Sequence, residues 1–289
     1  MKQTKNVLLL VTVAAISACS ETRNMEFAPI DDSGHTLICA NIESLLLMEE
    51  SRIWPEGAAI GVYGSEAGEN ECYLIKNADA GADSAVFYGP LVKGTVAAYY
   101  PYSETFVGNV NAMPVSVEKV QVYDPEADVV DQYRKYTPYA YGYLKDGKVS
   151  FVYPNGIFGL TFGGQEADYI TDISLSSDSL SISGLGAFIP DGTLVMSETT
   201  YSVVTLNCGE GVPTISDGEA NVFYFVVVPG TYSDLRLSIG FKGDDKKSVI
   251  HLPEITIERV SSSMFNVGLV KISDMGPDGF YENKVQFDE

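Results

Sequence analysis

The chain has 289 residues, with 39 Asp and Glu against 18 Lys and Arg, and a formal net charge of -21. That balance makes nucleic acid and anionic lipid headgroups poor partners, because like charge repels at every approach. The acids are scattered rather than blocked, which reads as a solvated surface, and the length exceeds a single core, so two domains are expected.

The N-terminus reads as a leader. Lys2 and Lys5 supply positive charge ahead of an apolar run from Val7 to Ile16, the layout of a secretory signal. A helical anchor would need roughly 20 apolar residues to cross the hydrocarbon; Ser17, Ser20, Glu21 and Arg23 close this run first. Ile16-Ser17-Ala18-Cys19 resembles the lipobox of exported bacterial lipoproteins. The expected signal peptide is therefore 1–18, with Cys19 lipidated, palmitate included, as the first residue of the mature chain. Several acyl chains on one residue give stable anchoring where one alone is marginal. Loss of 1–18, which holds two lysines and no acids, takes the net charge from -21 to -23.

Beyond the leader the pattern is β. Thr36 to Ile42 reads as a strand with Ile38, Ala40 and Ile42 on one face, followed by apolar Leu45 to Met48 and by polar Glu49-Glu50-Ser51-Arg52. Further strands are expected at Ala58 to Tyr63, Thr95 to Tyr100, Pro114 to Tyr123, Tyr139 to Leu144, Lys148 to Tyr153 and Gly159 to Phe162. A short helix is expected at Pro125 to Tyr136, acidic at its start and basic near its end. The second half adds Ile170 to Leu175, Ser179 to Ile182, Thr193 to Met196, Ser202 to Leu206, Val222 to Val228, Leu235 to Phe241, Val249 to Leu252, Ile255 to Val260 and Phe265 to Ile272. Strands this numerous, without long helices between them, point to an all-β chain of two successive antiparallel β-sandwiches. The domain boundary is placed around Lys145 to Lys148, at the tight hairpin turn Asp146-Gly147, dividing 53–146 from 147–289 after a leader segment 19–52; the alternative is a hairpin inside one domain.

Residues able to carry chemistry are sparse. Beyond Cys19, the cysteines are Cys39, Cys72 and Cys208, which allow at most one internal disulfide, and two histidines give no zinc spacing. Asp124, Glu126, Asp128 and Asp131 lack the calcium-loop pattern and read as a helix start. No nucleophile elbow is present, since Gly64-Ser65-Glu66-Ala67-Gly68 has the wrong spacing. The expectation is a non-enzyme without metal or cofactor. Tyr139, Tyr141 and Tyr143 fall on one strand face and, with the lone Trp54, raise a rival reading as a monomeric glycan-binding surface lipoprotein.

Trp54-Pro55-Glu56-Gly57-Ala58-Ala59-Ile60-Gly61-Val62-Tyr63 and Ala97-Ala98-Tyr99-Tyr100-Pro101-Tyr102 resemble two marks of the fimbrillin family, the Mfa-like pilins and pilus anchors of anaerobic Gram-negative bacteria. Asn70 to Tyr73, Ala85 to Phe87, Phe151 to Phe162, Phe223 to Pro229 and Ile255 to Ile272 follow in the family's order, so the resemblance spans roughly residues 36 to 273. Ala59, where many relatives have an acid, and Pro154-Asn155, where many have a His, are departures. The resemblance implies transthyretin-like sandwich domains and a stalk, tip or anchor subunit of a cell-surface fimbrium at the outer membrane. It implies cleavage after Arg52 by a trypsin-like protease, loss of the first strand, and its replacement by a strand of another subunit. Arg52 as an ordinary loop arginine is the alternative, and Tyr281 to Phe287 is a candidate donor strand.

Overall fold

The computed structural model describes residues 34–42, 53–66, 69–162, 169–216, 219–243, 247–259, 270–272 and 285–287. Cys19 and Arg52 lie outside them. The chain is nearly all β, and its described residues fall into two compact units. The first lies within Met1–Pro114, Tyr139–Tyr153 and Phe188–Thr193, the second within Val115–Pro138, Pro154–Ala187 and Leu194–Glu289. Among the described residues no helix is long and apolar enough to cross a membrane.

In chain order the first strands are β1 (Thr36–Ile42), β2 (Ala59–Gly64), β3 (Glu71–Ile75), β4 (Ser84–Gly89), β5 (Val96–Tyr100), β6 (Met113–Val117) and β7 (Val120–Val122), followed by helix α1 (Val129–Tyr136), then β8 (Ala140–Lys145) and β9 (Lys148–Phe151). Seven of these strands close a barrel in the first unit, in the order β1-β4-β3-β2-β5-β8-β9, where a sandwich was expected. The closing element is β1, antiparallel to β4 on one side and parallel to β9 on the other. Without it the remaining six strands form an open sheet with two edges. Asp146-Gly147 is the tight turn of the β8–β9 hairpin inside this unit, with Asp146 at φ 52°.

The second unit holds β10 (Gly156–Phe162), β11 (Tyr169–Ser176), β12 (Ser183–Phe188), β13 (Leu194–Tyr201), β14 (Val203–Pro213), β15 (Ile215–Ser216), β16 (Glu219–Ala220), β17 (Val222–Val227), β18 (Gly230–Tyr232), β19 (Arg236–Phe241), β20 (Lys247–His251), β21 (Ile255–Ile257), β22 (Val270–Ile272) and β23 (Val285–Phe287), apart from the last residue of β12. Its main sheets run β20-β19-β11-β14-β7 and β17-β10-β22-β23. One apolar core draws on both, with Phe158, Leu160, Phe162, Phe223 and Phe225 from the second and Ile173, Leu175, Leu206, Leu237 and Ile239 from the first. The period-two alternation of Leu237 and Ile239 is what puts them on that shared face.

Three local expectations shift. Pro114 to Tyr123 breaks at Glu118-Lys119 into β6 and β7, because Gln121 turns inward and bonds the backbone of Val226 on β17 from both ends, at 2.7 and 2.9 Å. The helix begins at Val129 rather than Pro125, since the Asp128 carboxylate caps it, accepting from Val130 N and Asp131 N at 2.8 Å each. Ser179 to Ile182 is a turn instead of a strand: the Asp234 carboxylate gathers Ser177 Oγ, Ser179 Oγ and the N–H groups of Asp178 and Ser179.

Candidate functional site: the first strand and its slot

The alternation read from the sequence sets how β1 is built into the barrel. Ile38, Ala40 and Ile42 face inward; Ile38 and Ala40 are fully buried. Ile38 pairs with Phe87 and Ala40 with Ala85 on β4, while Ala40 pairs with Val149 and Ile42 with Phe151 on β9. Paired residues share a face, so these side chains fill one space. On the outer face Asn41 Oδ1 accepts from Ser150 Oγ at 2.9 Å, and Cys39 Sγ lies 3.6 Å from Ser84 Oγ.

The ends and middle of β1 are also tied by side chains. Thr36 Oγ1 accepts from Val92 N at 3.1 Å, fastening the start of the strand to the chain after β4. Beside it the Tyr73 phenol donates to Pro90 O, and burial pushes that phenol up to about 12, with a Thr36 hydrogen bond acting against the rise. At the middle, Trp54 Nε1 donates to Ala40 O at 3.3 Å. The Trp54 indole, 1 % exposed, packs edge-on against Phe87, Tyr100 and Phe151 at centroid distances of 4.8, 4.9 and 5.9 Å.

These contacts define what the slot holds. Ile38 and Ile42 alone contribute roughly 3–6 kcal/mol of apolar burial. Taking β1 away would also leave the facing backbone groups of β4 and β9 without partners, a loss that only another extended chain can make good. In this chain β1 fills the slot between β4 and β9.

The other sequence candidates resolve as structural parts. Trp54 is buried, so it offers no stacking platform. Tyr141 is 3 % exposed and its hydroxyl donates to Pro114 O; Tyr143 donates to Phe188 O at 2.8 Å; Tyr139 packs on Phe106 at 4.8 Å. The aromatics raised for glycan stacking are therefore spent on the first unit's own packing. Asp128 is a helix cap, and no group of three metal-ligating side chains occurs among the described residues. Cys72 and Cys208 are free thiols, with burial pushing Cys208 up to about 12. What sequence reasoning missed is the place of Trp54 beneath β1; its nearness to Arg52 and its being the lone tryptophan were the available signals.

Fold and site together define an all-β protein whose first strand closes its N-terminal barrel. No protein-family model and no curated protein matches the chain. Among solved structures it is similar to a candidate cell adhesion protein from Bacteroides ovatus, at 14% identity and TM-score 0.51, covering 92% of this chain and 97% of that one. A candidate cell adhesion protein from Bacteroides uniformis aligns at 16% identity and TM-score 0.45, covering 84% of this chain and 94% of that one. The tip fimbrial protein Mfa3 from Porphyromonas gingivalis, truncated at its C-terminus, aligns at 10% identity and TM-score 0.39, covering 84% and 96%. The first of these extends over nearly the whole of both chains, and what it shares with this protein is the fold.

Proposed function

We propose that this chain is a fimbrillin-type structural subunit of a cell-surface fimbrium, supporting adhesion as a stalk, tip or anchor component. Its work is assembly rather than catalysis. The chain is exported behind residues 1–18, lipidated at Cys19 and held at the outer membrane. A protease cuts after Arg52, β1 leaves, and a strand of a neighbouring subunit takes its place between β4 and β9.

One observation carries this reading. The last described residue of β1 is Ile42 and the chain resumes at Ile53, so a cut after Arg52 separates from the rest of the chain the very strand that closes the barrel. The likeness in fold to the Bacteroides ovatus protein supports it, as do the lipobox-like Ile16 to Cys19 and the ordered motifs from Trp54 onward.

Negative-stain microscopy of surface preparations tests it, with immunogold labelling of the chain. Labelled fibres are expected from the native protein and are expected to be lost in Arg52→Ala, which removes the cut. Undiminished labelled fibres in Arg52→Ala would refute processing, and label confined to cell bodies in both would refute the fimbrial role. Deleting Tyr281 to Glu289 tests the donor strand separately, since undiminished polymerisation would rule that segment out.

A further inference from the structure

Trp54 is fixed by parts of the chain other than β1. Its N–H donates to Ala82 O at 2.9 Å and its carbonyl accepts from Gly81 N at 2.8 Å, which clamps the residue from both sides to the turn before β4. Its ring rests on Phe87 of β4 and on Phe151 of β9, the two strands that flank β1. From β1 it takes one hydrogen bond, from its indole N–H to the Ala40 carbonyl.

A ring touching both neighbours lies under the middle of the strand between them. At that level the pairs are Ala40 with Ala85 and Ala40 with Val149. Two facing alanines leave the space that the indole fills, whereas a larger side chain on β1 there would compete with it in a closely packed interior. The two wider positions lie on either side, with Ile38 opposite Phe87 and Ile42 opposite Phe151.

We infer that Trp54 is the specificity residue of the slot: any strand bound between β4 and β9 must bring a small side chain and an accepting carbonyl to the register of Ala40. The ligand class is an extended peptide reading apolar-x-small-x-apolar, as Ile38-Cys39-Ala40-Asn41-Ile42 does. The indole N–H adds a fixed donor in a site closed to water, where an unpaired donor is costly. For its biological partner the inference rests on the strand-exchange reading, but its size rule already applies to β1 in the intact chain.

Two arms separate the inference from that reading. In the intact chain, Ala40→Leu is expected to lower the folding equilibrium constant about tenfold to a hundredfold in urea titration. Adding Trp54→Phe is expected to recover much of that loss, because a smaller ring frees the space, and strictly additive losses would overturn the inference. Ala40→Val repeats the comparison with a smaller insult should the leucine variant not fold. In the second arm, the chain nicked after Arg52 is challenged with the peptide Thr36 to Ile42 and with its Ala40→Leu variant. Binding is followed by the emission of Trp54, the one tryptophan in the sequence.

The leucine peptide is expected to bind about tenfold to a hundredfold more weakly. Equal binding overturns the inference. If neither peptide enters while the intact chain shows the size coupling, the strand-exchange reading fails and the Trp54 rule stands for β1 alone.

Discussion

Gly61 sits on β2 directly opposite Tyr99 of β5, and the Tyr99 ring occupies the place a side chain at Gly61 would take. A Cβ built there would lie 1.9 Å from Tyr99 Cε1 and 2.2 Å from Cζ. Carbon contacts settle at about 3.5–4.0 Å, so the ring would have to move by roughly 1.5 Å. It has nowhere to go. Tyr99 is fully buried, stacked on Phe106 at 3.9 Å and edge-on to Tyr139 at 5.5 Å. Its hydroxyl donates toward Ser103 O at 2.8 Å and Asn70 Oδ1 at 3.0 Å and accepts from Ser103 N at 3.2 Å. Gly61→Ala therefore combines overpacking, about 1–3 kcal/mol, with the loss of one or two hydrogen bonds of about 1 kcal/mol each. The expected loss is about 2–5 kcal/mol, or a Tm fall on the order of 10 °C. Circular dichroism melting reads it, with Gly230→Ala as the control, where the nearest atom is 3.5 Å away and the change should be slight. Adding Tyr99→Leu to Gly61→Ala should cost less than the sum of the two alone. A Gly61→Ala protein within about 1 kcal/mol of wild type would refute the reasoning.

Three further outcomes follow from named contacts. Gln121→Met keeps the volume but strands the Val226 N–H and carbonyl, now bonded at 2.9 and 2.7 Å; urea titration should show a loss of about 2–5 kcal/mol. Asp234 is held below its usual carboxylate range, first by the Ser177 hydroxyl, which outweighs desolvation, and further by Ser179 and two backbone N–H groups. A depressed carboxylate stabilises the fold above its unfolded value and stops doing so as pH falls through its folded one. The stability gap between wild type and Asp234→Asn should therefore close on acidification, and a gap of constant size from pH 7 to about 2 would contradict the assignment. Burial pushes the phenols of Tyr73, Tyr99 and Tyr143 up to about 12. A raised value means stability present below the ordinary phenol range and falling as pH climbs toward 12. Absorbance at 295 nm and far-UV circular dichroism should then change together in alkali; phenolate formation well before unfolding would count against it.

The sequence signalled those features whose cause is local. β1 runs from Thr36 to Ile42 as its alternation implied, and the inward set Ile38, Ala40 and Ile42 is the one expected. Gly147 and Asp146 made a hairpin turn, as the Asp-Gly pair does when positive φ is needed at both. What escaped depends on distant partners. The parallel pairing of β1 with β9 joins segments as far apart as Asn41 and Ser150, which closes the barrel; nothing in either stretch alone announces it. The stretch Ser179 to Ile182 reads as a strand until Asp234, more than fifty residues on, is seen gathering the N–H groups of Asp178 and Ser179. The short run from Val115 to Pro138 joins the second unit while Tyr139 to Tyr153 returns to the first, an interleaving that follows from pairings such as β7 with β14. At the candidate site the strand was legible, whereas the buried place of Trp54 was not. A lone tryptophan beside a turn looks the same on paper whether it faces solvent or carries a neighbouring strand.

Intact-mass spectrometry of the protein taken from its native cell surface tests the central claim most directly. A chain beginning at Ile53, with no β1 and no Cys19 lipid, is the predicted result. A lipidated chain running unbroken from Cys19 to Glu289 would contradict it.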